Sequence, residues 1–186
     1  MDSVTSFIYG MSMMFFSMMA FLFWRKGKEM LFRMIMWLMI VVDLQLVKDI
    51  VFFLIYGFDN EHAWYLTSSL DMMIIPFYSF VLMELVKPGW FRWVKALMLE
   101  LPFLLLPVFY IFTHNIIWFY VLSAWGAIYG FSTFILLFFM IRRYHRQLKE
   151  RFSYQENINL NWLLAILNTF FLILFLWTLS CFVINV

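Results

Sequence analysis

The sequence predicts an all-α fold: a polytopic membrane helix bundle with six transmembrane helices. Three observations predict it. The chain of 186 residues is 66% hydrophobic and only 13% charged, against roughly 25% charged residues in soluble domains. So few charges cannot build a water-exposed shell, which makes lipid the main solvent. Six stretches approach or exceed the ~20 mostly apolar residues a span needs. Twelve of the thirteen Lys and Arg residues fall in three short segments between those stretches.

The spans are expected near 4–24, 34–56, 64–85, 93–112, 116–141 and 161–184. Backbone groups in lipid must be satisfied within their own segment, so each span is helical. Strands with alternating polarity are absent, which argues against an outer-membrane barrel. The basic segments hold Arg25, Lys26, Lys28 and Arg33, then Lys87, Arg92 and Lys95, then Arg142, Arg143, Arg146, Lys149 and Arg151. The other two connections, Gly57 to Ala63 and Thr113 to Asn115, contain no Lys or Arg. Short loops rich in Lys and Arg stay in the cytoplasm. The expected protein therefore spans a membrane with its N-terminus outside. Six crossings return the C-terminus of this chain to the outside.

No stretch between spans exceeds about twenty residues, too short for a separate core. The whole chain is expected to be one transmembrane domain. The start lacks a basic n-region and its first apolar stretch is long enough to span, so no cleavable signal peptide is expected. Cys181 is the single cysteine, which rules out an internal disulfide or a thiolate metal cluster. The net charge of +2 is explained by the positive-inside pattern, so no nucleic-acid binding is expected of this chain. An inverted repeat, a mark of transporters, is not evident between the two halves.

An ionisable residue inside a span is a functional-site candidate, because placing it there is costly. The second span carries Asp43, Gln45, Lys48 and Asp49, the third Asp71, and the fourth Glu100 with Pro102 and Pro107. Gln45 shares a helix face with Lys48 and Asp49, three and four residues on. Lys48 and Asp71 both lie about 10–12 Å below the outer surface at 1.5 Å rise per residue. Their helices are joined by a short loop, so an ion pair between them is expected. Such a pair can simply staple two helices, or it can line a pocket open to the outside with Asp49. Asp43 and Glu100 lie nearer the inner half. Pro76, Pro102 and Pro107 can each kink a helix.

The chemistry expected here is limited. The three histidines lie in separate loops, and metal-ligand spacing on one helix is missing. No nucleophile–base constellation is present, so neither catalysis nor a cofactor is expected. Retinal binding would need a lysine in a late helix, and the last two spans have none. A Met- and Phe-rich bundle packs adaptably, which suits lipid-facing filler and an apolar ligand cavity alike. The region after Arg142 runs on without Gly or Pro, so the fifth helix should extend into the cytoplasm. Ser153 and Glu156 form a capping-box pattern that starts a new helix. Arg143, His145, Arg146, Lys149, Ser153 and Glu156 thus form either a plain helical turn or an arm that couples to a partner.

Several strings resemble one family. They are Phe21-Leu-Phe-Trp-Arg-Lys-Gly27, Leu38-Met-Ile-Val-Val-Asp-Leu-Gln-Leu-Val-Lys-Asp49, Asp71-Met-Met-Ile-Ile-Pro-Phe-Tyr78 and Leu85-Val-Lys-Pro-Gly-Trp90. The most characteristic is Arg143-Tyr-His-Arg-Gln-Leu-Lys-Glu-Arg-Phe-Ser-Tyr-Gln-Glu-Asn-Ile-Asn-Leu-Asn-Trp-Leu163. Together they resemble the N-terminal membrane region of Bacteroidetes AraC-type helix-turn-helix regulators and related histidine kinases. The resemblance implies a multi-helix sensor of the bacterial inner membrane, placed before a cytoplasmic output domain and involved in transcription regulation. This chain carries no helix-turn-helix or kinase sequence. Six spans also leave its end outside, where a seventh would be needed to reach the cytosol. The expectation is the truncated input half of such a regulator, or a stand-alone relative. Its expected partners are the lipid bilayer, an output domain or partner protein, and a second copy of the chain, with an unidentified ligand. The rival expectation is a small transporter or channel using Asp43, Asp71 and Glu100.

Overall fold

Every element in the described part of the chain is an α-helix, as the need to satisfy backbone groups without water dictates. The computed structural model describes residues 3–57 and 60–151, with residues 165, 168, 169, 172 and 176 beyond them. Six helical segments follow one another: α1 (Ser3–Lys26), α2 (Met30–Tyr56), α3 (Glu61–Asp71), α4 (Ile74–Val86), α5 (Trp93–Thr113) and α6 (Ile117–Arg151). Four helical paths are long and apolar enough to cross a membrane: Val4–Lys26, Glu61–Val86, Trp93–Thr113 and Ile117–Arg143. With 27 residues, α2 has the length, but it carries Arg33, Asp43, Lys48 and Asp49. The expected sixth span, 161–184, lies outside the described residues apart from the five isolated helical positions.

The expected third span is two helices in the structure. Pro76 lacks an N–H, and its ring collides with the carbonyl four residues back, that of Met72. The ladder tightens there to bonds of three-residue spacing. Met73 N donates to Leu70 O at 3.2 Å and Ile75 N donates to Met72 O at 3.1 Å. Pro102 and Pro107, by contrast, lie inside the unbroken α5. The loop before α3 is anchored at both ends. Gly57 closes α2 at φ +72° with its N–H on Phe53 O, a left-handed position that suits glycine. The Asn60 side chain caps α3 by accepting from Ala63 N at 3.2 Å, as a good N-cap residue does.

The basic connection between α4 and α5 is built from Lys87-Pro88-Gly89-Trp90. Trp90 N donates to Lys87 O at 3.1 Å. Gly89 has φ +83°, the value a type II turn needs at its third residue, with proline preferred before it. Glu84 ties this loop down, accepting from Gly89 N at 2.7 Å and Phe91 N at 2.8 Å.

Packing places α4 at the centre. It touches α2, α5 and α6, whereas α1 packs chiefly on α2. Along the path Glu61–Val86, 61% of the apolar window is buried, against 0% for α1. One core cluster joins Tyr65, Met72 and Ile75 to Phe103, Tyr110, Phe119 and Leu122. A second joins Leu82, Met83 and Val86 to Leu137 and Ile141. A third joins Met34 and Leu38 of α2 to Phe80, Val81 and Ala96. Gly126 lies against the first, where a Cβ would meet Ile75 Cδ1 at 3.4 Å, an ordinary van der Waals contact. These clusters bring the ends near Met30, Trp90 and Ile141 together, and those near Tyr65, Tyr110 and Phe119 together. The first group of ends carries the basic segments and is called the basic end below.

At 35 residues, α6 would be about 53 Å long at 1.5 Å per residue. That exceeds a hydrocarbon core of about 30 Å. Its apolar path ends at Arg143, and the helix continues to Arg151 as the sequence leads one to expect.

Candidate functional site

At the end opposite the basic segments, α2 meets α3 through Gln45 and Lys48, with Asp49 beside them. Gln45, Lys48 and Asp49 project from one side of α2 because they are spaced three and four residues apart. Lys48 Nζ lies 2.6 Å from Asp71 Oδ1 and donates to Thr67 O at 3.1 Å. Asp49 Oδ1 is also close to Lys48 Nζ, at 2.9 Å. That oxygen makes no hydrogen bond among the described residues, so the contact is an ion pair. Gln45 Nε2 donates to Leu70 O at 3.2 Å and Asp71 O at 3.4 Å.

These bonds fall where the backbone needs them. Leu70 and Asp71 end α3, just before the Pro76-induced break: Leu70 O keeps the short-range bond from Met73 N, and no described backbone N–H beyond the break reaches Asp71 O. Gln45 supplies donors to both. Lys48 places a cation at the C-terminal turn of α3, the negative end of that helix. The matched depths of Lys48 and Asp71 are enough to foresee their pairing. The Gln45 contacts are not foreseeable until the break is placed.

The network forms part of a cavity wall. A cavity of about 280 Å³ is lined by Tyr9, Asp49, Phe52, Trp64, Thr67 and Asp71, among others. The Asp71 side chain is 39% exposed, while that of Lys48 is 14% exposed. The cation is thus largely enclosed, and a carboxylate is presented to the opening. Two carboxylates face one ammonium, leaving a formal charge of −1 on the trio.

The other expected site residues lie elsewhere. Asp43 accepts a hydrogen bond from Ser17 of α1, and its Oδ1 is buried with no partner among the described residues. Glu100 lies toward the basic end, buried among α2, α4 and α5 in a second cavity. The six intramembrane candidates therefore form one cluster of four (Gln45, Lys48, Asp49 and Asp71) and two separate sites. In the expected coupling region, Arg143 is exposed on α6, and His145, Arg146 and Lys149 lie on its helical backbone. Ser153 and Glu156 lie outside the described residues. No group of three or more metal-ligating side chains is assembled among the described residues.

Beyond the Gln45 and Ser17 bonds, further polar contacts have no counterpart among the sequence-based expectations. Besides the loop-holding Glu84, Ser79 Oγ pairs with Tyr129 Oη at 2.5 Å, linking α4 to α6. His62 Nδ1 lies 3.3 Å from Tyr110 Oη, linking α3 to α5. An acid shortly before a Pro-Gly turn was a readable signal for Glu84. The tyrosine contacts join residues 50 and 48 positions apart and have no local signal. No protein-family model, curated protein or solved structure matches the chain.

Proposed function

We propose that this chain is a membrane-embedded, non-enzymatic sensory input domain of a bacterial regulator, with six spans in the inner membrane. In this reading α2 and the segment 161–184 are the remaining two spans. The basic end is cytoplasmic and the cavity at Asp71 opens outward. The observation that carries the reading is the position of Asp71. It is exposed to a cavity, it ends α3 at a helix break, and it holds Lys48 of α2. A ligand that competes for Asp71 acts directly on how α3 is fastened to α2. It biases the bundle only insofar as it binds two arrangements unequally. The long α6, which packs on α3 and α4, offers a rigid path from that site to its extension past Arg143. The resemblance to the membrane regions of AraC-type regulators and related histidine kinases supports the same reading and supplies the class of output.

Two measurements test it. In a Cys181→Ser background, Glu61→Cys should react with a membrane-impermeant maleimide added outside, and Glu29→Cys should not. The reverse pattern overturns the orientation. Spin labels at Glu61→Cys and Arg143→Cys should report a changed distance distribution when Asp71→Asn is added, because the fastening of α3 is altered. Identical distributions would leave the site without a route to α6.

A small transporter or channel is the second reading. It is favoured by Asp43 Oδ1 and both Glu100 oxygens, buried without partners among the described residues. It requires ion or proton flux in vesicles that Asp43→Asn abolishes, whereas the sensory reading requires none.

A further inference from the structure

A second cavity, of about 260 Å³, lies between α2, α4 and α5 toward the basic end. Its wall is aromatic: Trp37, Phe77, Phe80, Phe91 and Trp93 contribute, and Glu100 lines it as well. Glu100 is only 7% exposed. Neither of its carboxylate oxygens has a hydrogen-bond partner among the described residues. Seven residues separate it from Trp93, the start of α5, which places it about 10 Å along the helix from the basic end. Arg33 lines the cavity too, but it is exposed, and its described contact is with Met30 Sδ at 3.9 Å. Arg33 therefore does not neutralise Glu100.

A buried carboxylate without a partner is costly, so the chemistry that would relieve it can be asked for. A small hydrated metal ion needs several oxygen ligands, and this wall offers one carboxylate among rings and aliphatic groups. A lipid chain would fill the space but leave Glu100 as it is. An organic cation does both. Its apolar body fits the wall, its positive charge is attracted to ring faces, and the same charge meets the carboxylate. The volume suits a small ligand, just below the ~300 Å³ lower end of ordinary ligand pockets. Both Glu100 oxygens are closed off, so binding includes rotation of this flexible side chain toward the cavity.

We propose that this inner cavity binds a lipophilic organic cation, a quaternary ammonium or protonated amine, with Glu100 as its counter-ion. The inference does not rest on the sensory reading. It concerns a different cavity, toward the opposite end of the bundle from Asp71, and holds for a sensor or a transporter.

Benzyltrimethylammonium and its uncharged carbon isostere, neopentylbenzene, share a shape and differ in charge. Both are titrated into the full chain in lipid nanodiscs by equilibrium dialysis, with empty nanodiscs subtracted. The cation should bind saturably, one per chain, and at least tenfold more tightly than the isostere. Glu100→Gln should weaken cation binding at least tenfold, and Glu100→Asp should weaken it less. Equal binding of the two compounds, or an unchanged Gln variant, overturns the proposal. Absence of saturable cation binding overturns it too, including the case where the chain's own residues fill the cavity. Should the variants fail to fold, the wild-type protein still decides. A hydrophobic carbodiimide should label Glu100, and benzyltrimethylammonium should slow that labelling at least threefold. Labelling at the same rate with and without the cation rejects the site.

Discussion

The two ends of this bundle handle buried charge in opposite ways. At the Asp71 end, Lys48 meets two carboxylates and a carbonyl, and Gln45 covers two more carbonyls. At the basic end, Glu100 meets no partner among the described residues. Lys48 and Glu100 are both largely enclosed, the Lys48 side chain 14% and Glu100 7% exposed, so an ion is costly at either place. The difference lies in what the neighbouring helices supply. Beside Lys48, α3 stops at a break and exposes carbonyls, so polar demand and polar supply arise together. Beside Glu100, α5 is unbroken and its neighbours offer aromatic rings. The first site is a fastener whose parts need one another. The second holds an unmet demand and contributes nothing to the fastening.

The largest expected effect follows from the fastener. Lys48→Met leaves Asp49 and Asp71 facing each other without their cation. Breaking a buried pair by removing one partner costs about 3–5 kcal/mol in soluble proteins. With the Asp71 side chain 39% exposed, solvent screens part of this, and a loss near the lower end of that range is expected. Asp71→Asn should cost less, because Lys48 keeps Thr67 O and Asp49. The double variant should be more stable than the sum of the two losses implies. Thermal unfolding in detergent measures all three, and strict additivity would mean the pair carries no coupling.

Glu84→Ala should come next. It strips the Gly89 and Phe91 amides of their acceptor. Gly89 is exposed and Phe91 half-buried, so water replaces part of each bond, and the net worth of two hydrogen bonds, about 1–2 kcal/mol, is the loss expected. Hydrogen exchange should speed up at those two amides and leave the α4 helix unchanged. Uniformly faster exchange through α4 would show that Glu84 holds more than the loop.

How far this was legible depends on the range of each signal. Charge clustering and apolar length gave the helical class and the boundaries of α1, α2, α5 and α6 to within a few residues, α6's extension past Arg143 included. The Lys48–Asp71 pair was legible because depth can be counted from two helix ends joined by a short loop. The split of 64–85 into α3 and α4 was only half legible. Pro76 marked a weak point, yet Pro102 and Pro107 carried the same mark and left α5 whole. Tertiary surroundings decide between those outcomes, and Gln45 donating to Leu70 and Asp71 is part of them. That Glu100 would lack a partner could not be read at all, since it depends on which faces of α2, α4 and α5 converge.

A smaller effect sharpens the role of Gln45. Gln45→Leu removes both donors at the end of α3 and keeps the apolar volume. Interhelical hydrogen bonds in membranes average about 0.6 kcal/mol and reach about 1.7 kcal/mol. The loss should fall in that range and lie below that of Lys48→Met. A cost matching Lys48→Met would place the fastener in Gln45 and recast the ion pair as secondary.

The smallest effect is expected where the sequence alone would place a large one. Glu100 is a buried ionisable residue in a span, the kind of position where substitution is usually feared. Yet it makes no described hydrogen bond or ion pair, so changing it breaks nothing. Glu100→Gln keeps the volume and removes the ionisable group. Its amide is left as unpartnered as the carboxyl was, so the two penalties offset. Stability without ligand should stay within about 0.5 kcal/mol of the parent, a scale ordinarily met at surface positions, although Glu100 is buried. Melting of Glu100→Gln beside Lys48→Met puts the contrast between the two ends to the test. Comparable losses would mean that Glu100 has a partner in the folded chain, and that both ends are fastened alike.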